Sequence, residues 1–526
     1  MRIEEVAKYF NVSSATIRNW IKTGELLLDS AGYVSKASIL ALQLNISDKK
    51  KLSARANKSK KDSHNHQQLE EKIYQALQTD DVHQLGNFYE EQLSDSYRNK
   101  EGIYYTPIAI VEDLLSAQNV ENKTFLDPCC GSGNFIMRAI ELGFKPENIY
   151  GIDIDPLAVE ITKERIKKET GYITNNIICD DFLELCKNNS LEYYDYIYTN
   201  PPWGKKINKS QKIEYAEIFN AGISHDTSSL FFFACLNRLN SEGKLGLLLP
   251  EAFFNIASFE SARERLFTYQ IDTLKDYGKA FKGLQTGAVA LELTKTEMSS
   301  NRDIVCVYQN QTFLRSAASF INNPKKILNV NCNREESEVI TYLYSQLHET
   351  LEGKASWGLG IVTGNNEKYV KSNPQKGFIP VYKGSDITLK GLKEPSHFIS
   401  DDFSLYQQVA PQYLFKAKEK LIYKFISSNL CFFYDDKQRY PLNSANMLIV
   451  NEEFPVSMKV LAELFNSELM NWLFKKLFNT HKVLRGDLEK MPIFTQFLTE
   501  DTFNEAEYLE NINIEKIENG TFRIKK

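Results

Sequence analysis

The sequence predicts a mainly parallel α/β sheet, with a small helix-turn-helix before it and a mixed α/β domain after it. Three observations carry that expectation. From Gly102 to about Lys295, short apolar runs alternate with helical patterns, the order that builds parallel sheets through helical crossovers. A glycine turn, Gly131-Ser132-Gly133, directly follows one such run and opens a helix. At 526 residues the chain exceeds what one hydrophobic core supports, so two or three domains are expected. The apolar fraction of 42% suits a globular protein, and 63 Lys and Arg against 68 Asp and Glu give a net charge of -5. That balance excludes a uniformly basic coat and leaves local patches for any polyanion. Eight cysteines form no CxxC pair and no Cys/His ladder, and two of them, Cys129 and Cys130, are adjacent. The chain therefore reads as reduced, cytoplasmic and without a metal site. MRIEEVAKYF is charged and amphipathic, unlike a secretion signal, and no apolar run is long enough to span a bilayer.

Residues 1–46 read as a helix bearing Ile3, Val6, Ala7 and Phe10, a turn at Asn11-Val12, and a second helix through Ile17, Trp20 and Ile21 capped by Ser13 or Ser14. A turn at Gly32-Tyr33 and a third helical segment from Ser35 complete the unit. Residues 47–66 read as a basic linker, since KKKLSARANKSKK carries seven basic and no acidic residues. Residues 67–298 hold the α/β pattern, entered by helical spacing through Leu69, Ile73 and Leu77. Strands are expected at 124–126, 149–152, 177–179, 194–198, 245–249 and 289–293. Residues 299–526 combine short aromatic strands, Gly turns and one strong amphipathic helix over 460–478.

The segment FLDPCCGSGNF, Phe125 to Phe135, places a strand end, Asp127, the glycine turn and a helix in sequence. Gly131 and Gly133 allow close backbone approach, but position 136 is Ile where a dinucleotide fingerprint has its third glycine. An acidic Asp127 suits an ammonium better than a phosphate. S-adenosylmethionine has no phosphate and carries that ammonium. Twenty residues after Gly133, Asp153 ends the next strand in GIDIDP, where a carboxylate accepts from ribose hydroxyls. The following strand ends in CDDF, placing Asp181 for an adenine amino group and Phe182 for its ring. Any one of these acids alone reads as a cap or a surface charge. Three at successive strand ends read as a cofactor pocket.

YYDYIYT then delivers Asn200-Pro201-Pro202-Trp203-Gly204. The two prolines preset the backbone and remove two N–H donors, leaving carbonyls to face the site. Adenine N6 is a weak nucleophile because its lone pair is delocalised into the ring. If the Asn200 side-chain oxygen and the Pro201 carbonyl each accept one N6 hydrogen, the nitrogen becomes tetrahedral and able to attack an electrophilic methyl group. Such a base must leave the duplex stack, and Trp203 offers it a face.

With these motifs in place, the chain resembles the gamma class of DNA adenine-N6 methyltransferases, which includes modification enzymes of restriction systems. GIYYTP, DPCCGSGNF, the acidic strand ends and NPPW follow the family order over about Gly86 to Lys526. The resemblance implies a Rossmann-like S-adenosylmethionine-dependent methyltransferase sheet and a C-terminal target recognition domain. It implies that Thr106, Pro107, Asp127, Gly131 and Gly133 line the methionine end of the cofactor. Asp153 would take the ribose, Asp181 and Phe182 the adenine, and Asn200, Pro201, Pro202 and Trp203 the target base. KAFKGLQTGAVALEL resembles the segment whose aromatic packs on the flipped adenine, which nominates Phe281. The family pattern more often has Tyr after NPP, so Trp203 keeps the stacking surface and lacks the hydroxyl. Residues 13–26 resemble the winged helix-turn-helix of the MerR and excisionase families.

Lys205 and Lys206 follow the loop in KKINKSQKIEY, with Lys209 and Lys212, and read as contacts to the phosphate backbone of double-stranded DNA. Lys424, Lys482 and Arg485 are further phosphate or base-edge candidates. Three other readings compete. A glutamine methyltransferase of release factors shares the NPP-aromatic loop but needs no large recognition domain. N4-cytosine methylation is chemically close, although those enzymes more often carry Ser in place of Asn200. A non-catalytic DNA-binding regulator is opposed by the intact acids and NPPW. No nuclease constellation is present in the sequence, so any restriction activity is expected in a separately encoded endonuclease.

Overall fold

The Val-, Ile- and Leu-rich runs of the central region pair into one nine-stranded sheet. The computed structural model describes residues 106–204, 207–281, 284, 286–299, 302–498 and 501–525, with scattered positions between Ile3 and Ser38. The strands are β1 (Phe125–Asp127), β2 (Ile149–Asp153), β3 (Ile177–Cys179), β4 (Tyr194–Thr199), β5 (Leu239–Pro250), β6 (Tyr269–Gly278), β7 (Ala288–Glu297), β8 (Ile304–Tyr308) and β9 (Gln311–Arg315). Their order is β3-β2-β1-β4-β5-β7-β6-β8-β9. β1 to β5 are mutually parallel. β7 runs against both of its neighbours, β5 and β6. From β1 the chain builds β2 and β3 on one side and then crosses to β4 on the other. β1 and β4 therefore flank the topological switch point, where α/β sheets bind ligands at their strand carboxyl ends.

The chain forms two compact units. The first comprises Met1–Ser94, Gly131–Gly133 and Asp155–Asn175, and the second Asp95–Cys130, Asn134–Ile154 and Asn176–Lys526. Within the first, a helix spans Pro156–Thr170, entered by a cap in which Asp155 accepts from the Leu157 N–H and left through Gly171 at φ 74°. Of its N-terminal stretch, Ile3, Val6, Ile17, Trp20, Ile21 and Ser38 are helical, and Val6, Ile17, Trp20, Leu26 and Val34 are buried. The rest of the expected helix-turn-helix, the basic linker and the segment 67–105 lie outside the described residues.

Within the second unit, Asn134–Glu141 packs on β1 and β2. Thr227–Arg238, TSSLFFFACLNR, is apolar on every face and is buried accordingly, capped by Asp226 onto the Ser228 N–H. Gly246 on β5 is dictated by packing, since a Cβ there would stand 2.2 Å from the Tyr198 ring of β4. Beyond β9, a four-stranded antiparallel sheet orders Ala355–Leu359, Ala445–Val450, Lys420–Lys424 and Phe432–Asp435. The amphipathic helix expected over 460–478 is two helices, Met458–Asn466 and Glu468–Phe478. The break has its cause outside the helix. The Asn466 amide pairs with both the N–H and the carbonyl of Phe432, at 2.8 and 2.9 Å. Ser467 turns extended and caps the second helix through Met470.

Candidate active site

Parallel pairing sets the positions of the acids. Asp127 ends β1, level with Gly151 of β2, so Asp153 at the end of β2 projects two residues further. Asp153 is in turn level with Cys179 of β3, and Asp181 follows two residues later. Asp127 is 1% exposed and accepts from the Cys129 N–H at 3.1 Å. Burial pushes its carboxyl up to about 7, the neighbouring Thr199 hydroxyl and the Cys129 N–H pull it back, and Asp153 pushes it up again. Such a carboxyl gains from a cation brought against it. Asp181 caps the helix Phe182–Lys187, accepting from Leu183 and Glu184. Phe182 is 2% exposed and stacks on Phe231 in the core, with ring centroids 5.4 Å apart. These two residues thus have structural duties of their own. Thr106 is buried, and its carbonyl accepts from the Asn134 amide at 3.0 Å, while Pro107 is exposed and begins the helix Ile108–Leu114.

Gly131 and Gly133 belong to the first unit, where the Pro156–Thr170 helix grips them. The Thr162 hydroxyl donates to the Gly131 carbonyl at 2.9 Å, and the Arg165 guanidinium donates to that of Ser132. Gly133 sits at φ 90°, and a Cβ there would meet Thr162 Oγ1 at 2.9 Å, so this turn requires glycine.

β4 is hydrogen-bonded to β1 on one side and β5 on the other, so its carboxyl end brings Asn200 beside the end of β1. Pro201 is buried and Pro202 half-buried. The Trp203 indole N–H donates to the Leu248 carbonyl of β5 at 3.2 Å. Its ring meets Phe281 edge to face, with centroids 5.2 Å apart and planes at 89°. Two aromatics with β5 and β6 between them in sequence thus form one corner, and both are nearly buried, at 9% and 7% exposed.

Lys205 and Lys206 lie outside the described residues. In the C-terminal region Lys482 is exposed, and its segment pairs with Ile426. Arg485 is exposed, but its guanidinium is engaged by Glu489 at 2.8 Å and stands 5.9 Å from the Trp357 ring. Sequence reasoning passed over Thr199 and Asn134. Both lie inside segments read for other residues, and their contacts, to the Asp127 carboxyl and the Thr106 carbonyl, are made only by folding. Among the described residues no group of His, Cys, Asp and Glu is arranged to hold a metal ion, and no helix is long and apolar enough to cross a membrane.

Comparison with known proteins places the chain in one class, the DNA methyltransferases. A family model described as N-6 DNA Methylase matches residues 80–323, and a TaqI-like C-terminal specificity domain matches 379–493. The Type II methyltransferase M.VspI of Vibrio sp. (strain 343) is 47% identical over 393 residues, covering 74% of this chain and 96% of that protein. The chain belongs to the N-6 DNA methylase family and is an adenine-specific DNA methyltransferase of the restriction-modification type. The modification methylase CviBIII of Paramecium bursaria Chlorella virus NC1A is 25% identical over 202 residues, covering 36% of this chain and 48% of that protein. The fold is shared with the Type IIL restriction-modification enzyme MmeI in complex with DNA, at a TM-score of 0.54 and 13% identity. That alignment covers 81% of this chain and 72% of the other.

Proposed function

We propose that this chain is a gamma-class enzyme that uses S-adenosylmethionine and methylates N6 of an adenine flipped out of double-stranded DNA. The observation that carries the reading is Asn200, delivered by β4 beside the β1 end that holds Asp127, with Trp203 and Phe281 forming a corner next to it. Asp127, buried and without a cation opposite it among its described partners, suits the ammonium of the cofactor. Asp153 suits the ribose, Asp181 the adenine edge, with Phe182 as a core wall behind it. Thr106, Pro107, Gly131 and Gly133 complete the methionine end in this reading. When bound, the cofactor supplies an electrophilic methyl group. The chain supplies the rest. The Asn200 side-chain oxygen and the Pro201 carbonyl accept the two N6 hydrogens, which localises the nitrogen lone pair and aims it. Trp203 and Phe281 hold the base plane in their right-angled corner. Lys205, Lys206, Lys482 and, once released from Glu489, Arg485 take phosphates or base edges. The N-terminal helix-turn-helix is a further DNA contact, and any cognate endonuclease is a separate chain. Eight free thiols fit a cytoplasmic enzyme.

The test is Asn200→Ala assayed by tritiated methyl incorporation into duplex DNA, with cofactor affinity measured by calorimetry. Incorporation is expected to vanish while affinity is kept. Near wild-type incorporation would falsify the assignment of Asn200.

A further inference from the structure

The chain between the two family matches begins with an unusual dipeptide. Lys325 and Lys326 both adopt left-handed backbone, at φ 55° and 53°. Consecutive non-glycine residues hold that conformation only when their surroundings fix it. Here the surroundings do. Arg263, fully buried, donates through Nε and Nη2 to the Lys325 carbonyl at 3.0 and 2.9 Å, and through Nη1 to the carbonyls of Phe253 and Ile256. Lys326 Nζ donates to the Ile321 carbonyl, and the Leu328 N–H to that of Phe254. The Lys325 ammonium then reaches across 162 residues to Asp487 Oδ1 at 2.8 Å, in a pair whose side chains are only 10% and 6% exposed. Gly486 makes room for it, since a Cβ there would stand 3.3 Å from Lys325 Nζ. A second tie runs alongside, from the Asn255 amide to the Phe478 carbonyl at 2.9 Å.

One end of this chain of contacts is the specificity match, which contains Asp487. The other is Phe253, three residues past the end of β5, the strand whose Leu248 carbonyl holds the Trp203 indole. A buried ion pair adds little net stability over an apolar replacement, but it fixes one geometry, and removing one partner leaves an uncompensated charge. We propose that Lys325, locked by Arg263 and paired with Asp487, is a splint that sets the bearing of the specificity domain on the catalytic loop. Lys325 and Asp487 are positioning residues for methyl transfer, acting through DNA placement. The proposal rests on residues 379–493 being the part that reads DNA.

The test uses the full chain with Lys325→Met, Asp487→Asn and the double variant, reading KM for duplex DNA, kcat, cofactor affinity and Tm. Each single variant is expected to raise KM for DNA about tenfold, the double no more than the worse single, with cofactor affinity unchanged. Lys325→Arg is expected to recover most of the loss. A lower Tm with unchanged KM for DNA, additive single effects, or parallel loss of cofactor affinity each overturn the splint. Should Lys325→Met not fold, Asp487→Glu, which keeps both charges and alters reach, is judged by the same split between KM and affinity. A wild-type enzyme without sequence preference would instead undercut the reading of residues 379–493.

Discussion

Asp127 and Asp435 are both buried aspartates at the end of a strand, and they are held in opposite ways. Asp435 is fully buried on the strand paired in register with Lys420, and it receives the Lys420 ammonium and the Arg439 guanidinium, each at 2.7 Å. The Arg439 N–H adds a further donor at 2.8 Å. Burial alone would raise this carboxyl, but Lys420 and Arg439 outweigh it and hold it below the usual carboxylate range. Around Asp127 a second acid, Asp153, stands where Asp435 has cations, and the carboxyl is pushed up to about 7. A fold that needs only structure completes the charge balance of a buried acid from within. Among the described residues no cation balances the acid at the end of β1, which is what a site for a cationic group requires.

The comparison breaks most visibly in stability. Asp435→Asn strands the buried Lys420 and is expected to cost about 3–5 kcal/mol in urea unfolding, with no specific change in cofactor affinity. Asp127→Asn should leave stability equal or higher, since it removes a buried charge with no cation against it among the described residues. It should weaken S-adenosylmethionine by about 1.5–3 kcal/mol, the worth of hydrogen bonds to a charged group, as read by calorimetry. If Asp127→Asn proved the more destabilising of the two, the contrast between them would collapse.

A pH series sharpens the same point with a smaller effect. The folded value of Asp127 lies above its ordinary 3.8, so its ionisation opposes folding. Without ligand, wild type is expected to lose stability as pH rises from about 4 through about 7, a loss absent from Asp127→Asn. If Asp127 meets the cofactor ammonium, binding needs the ionised form, and affinity should fall about tenfold per pH unit below about 7 and level off above about 8. A flat binding profile from pH 5 to pH 8 would mean that Asp127 does not meet the ammonium.

What the sequence disclosed follows the distance over which each feature is encoded. β1 to β4 were legible because each is a short apolar run ending at its motif, and Asn200 to Trp203 because proline and asparagine act locally. β6 was not, because its register shifts against β7 at three places, and its burial follows no clean alternation. The helix break at Ser467 was hidden because its cause, the carbonyl and N–H of Phe432, lies 34 residues away. Lys420 and Asp435, and Lys325 and Asp487, read singly as surface charges. Only folding pairs them. Asp181 and Phe182 show the opposite limit, since a residue marked by a motif also serves as a helix cap or a core ring, and the sequence cannot divide the two duties.

The smallest effect concerns the neutral corner beside these charges. Trp203→Phe removes the indole donor to the Leu248 carbonyl and keeps an aromatic edge for Phe281. It should cost about 1 kcal/mol, the net worth of one neutral hydrogen bond, plus the carbonyl left without that donor. Trp203→Ala loses the ring contact as well, and with it the wall against which an extruded base would rest. Both variants should keep cofactor affinity, since Asp127 and Asp153 are untouched. Only the alanine variant should lower the fluorescence rise of a 2-aminopurine placed at the target adenine. Equal fluorescence from alanine and wild type would make Trp203 a packing residue of β5 and leave Phe281 alone to hold the base.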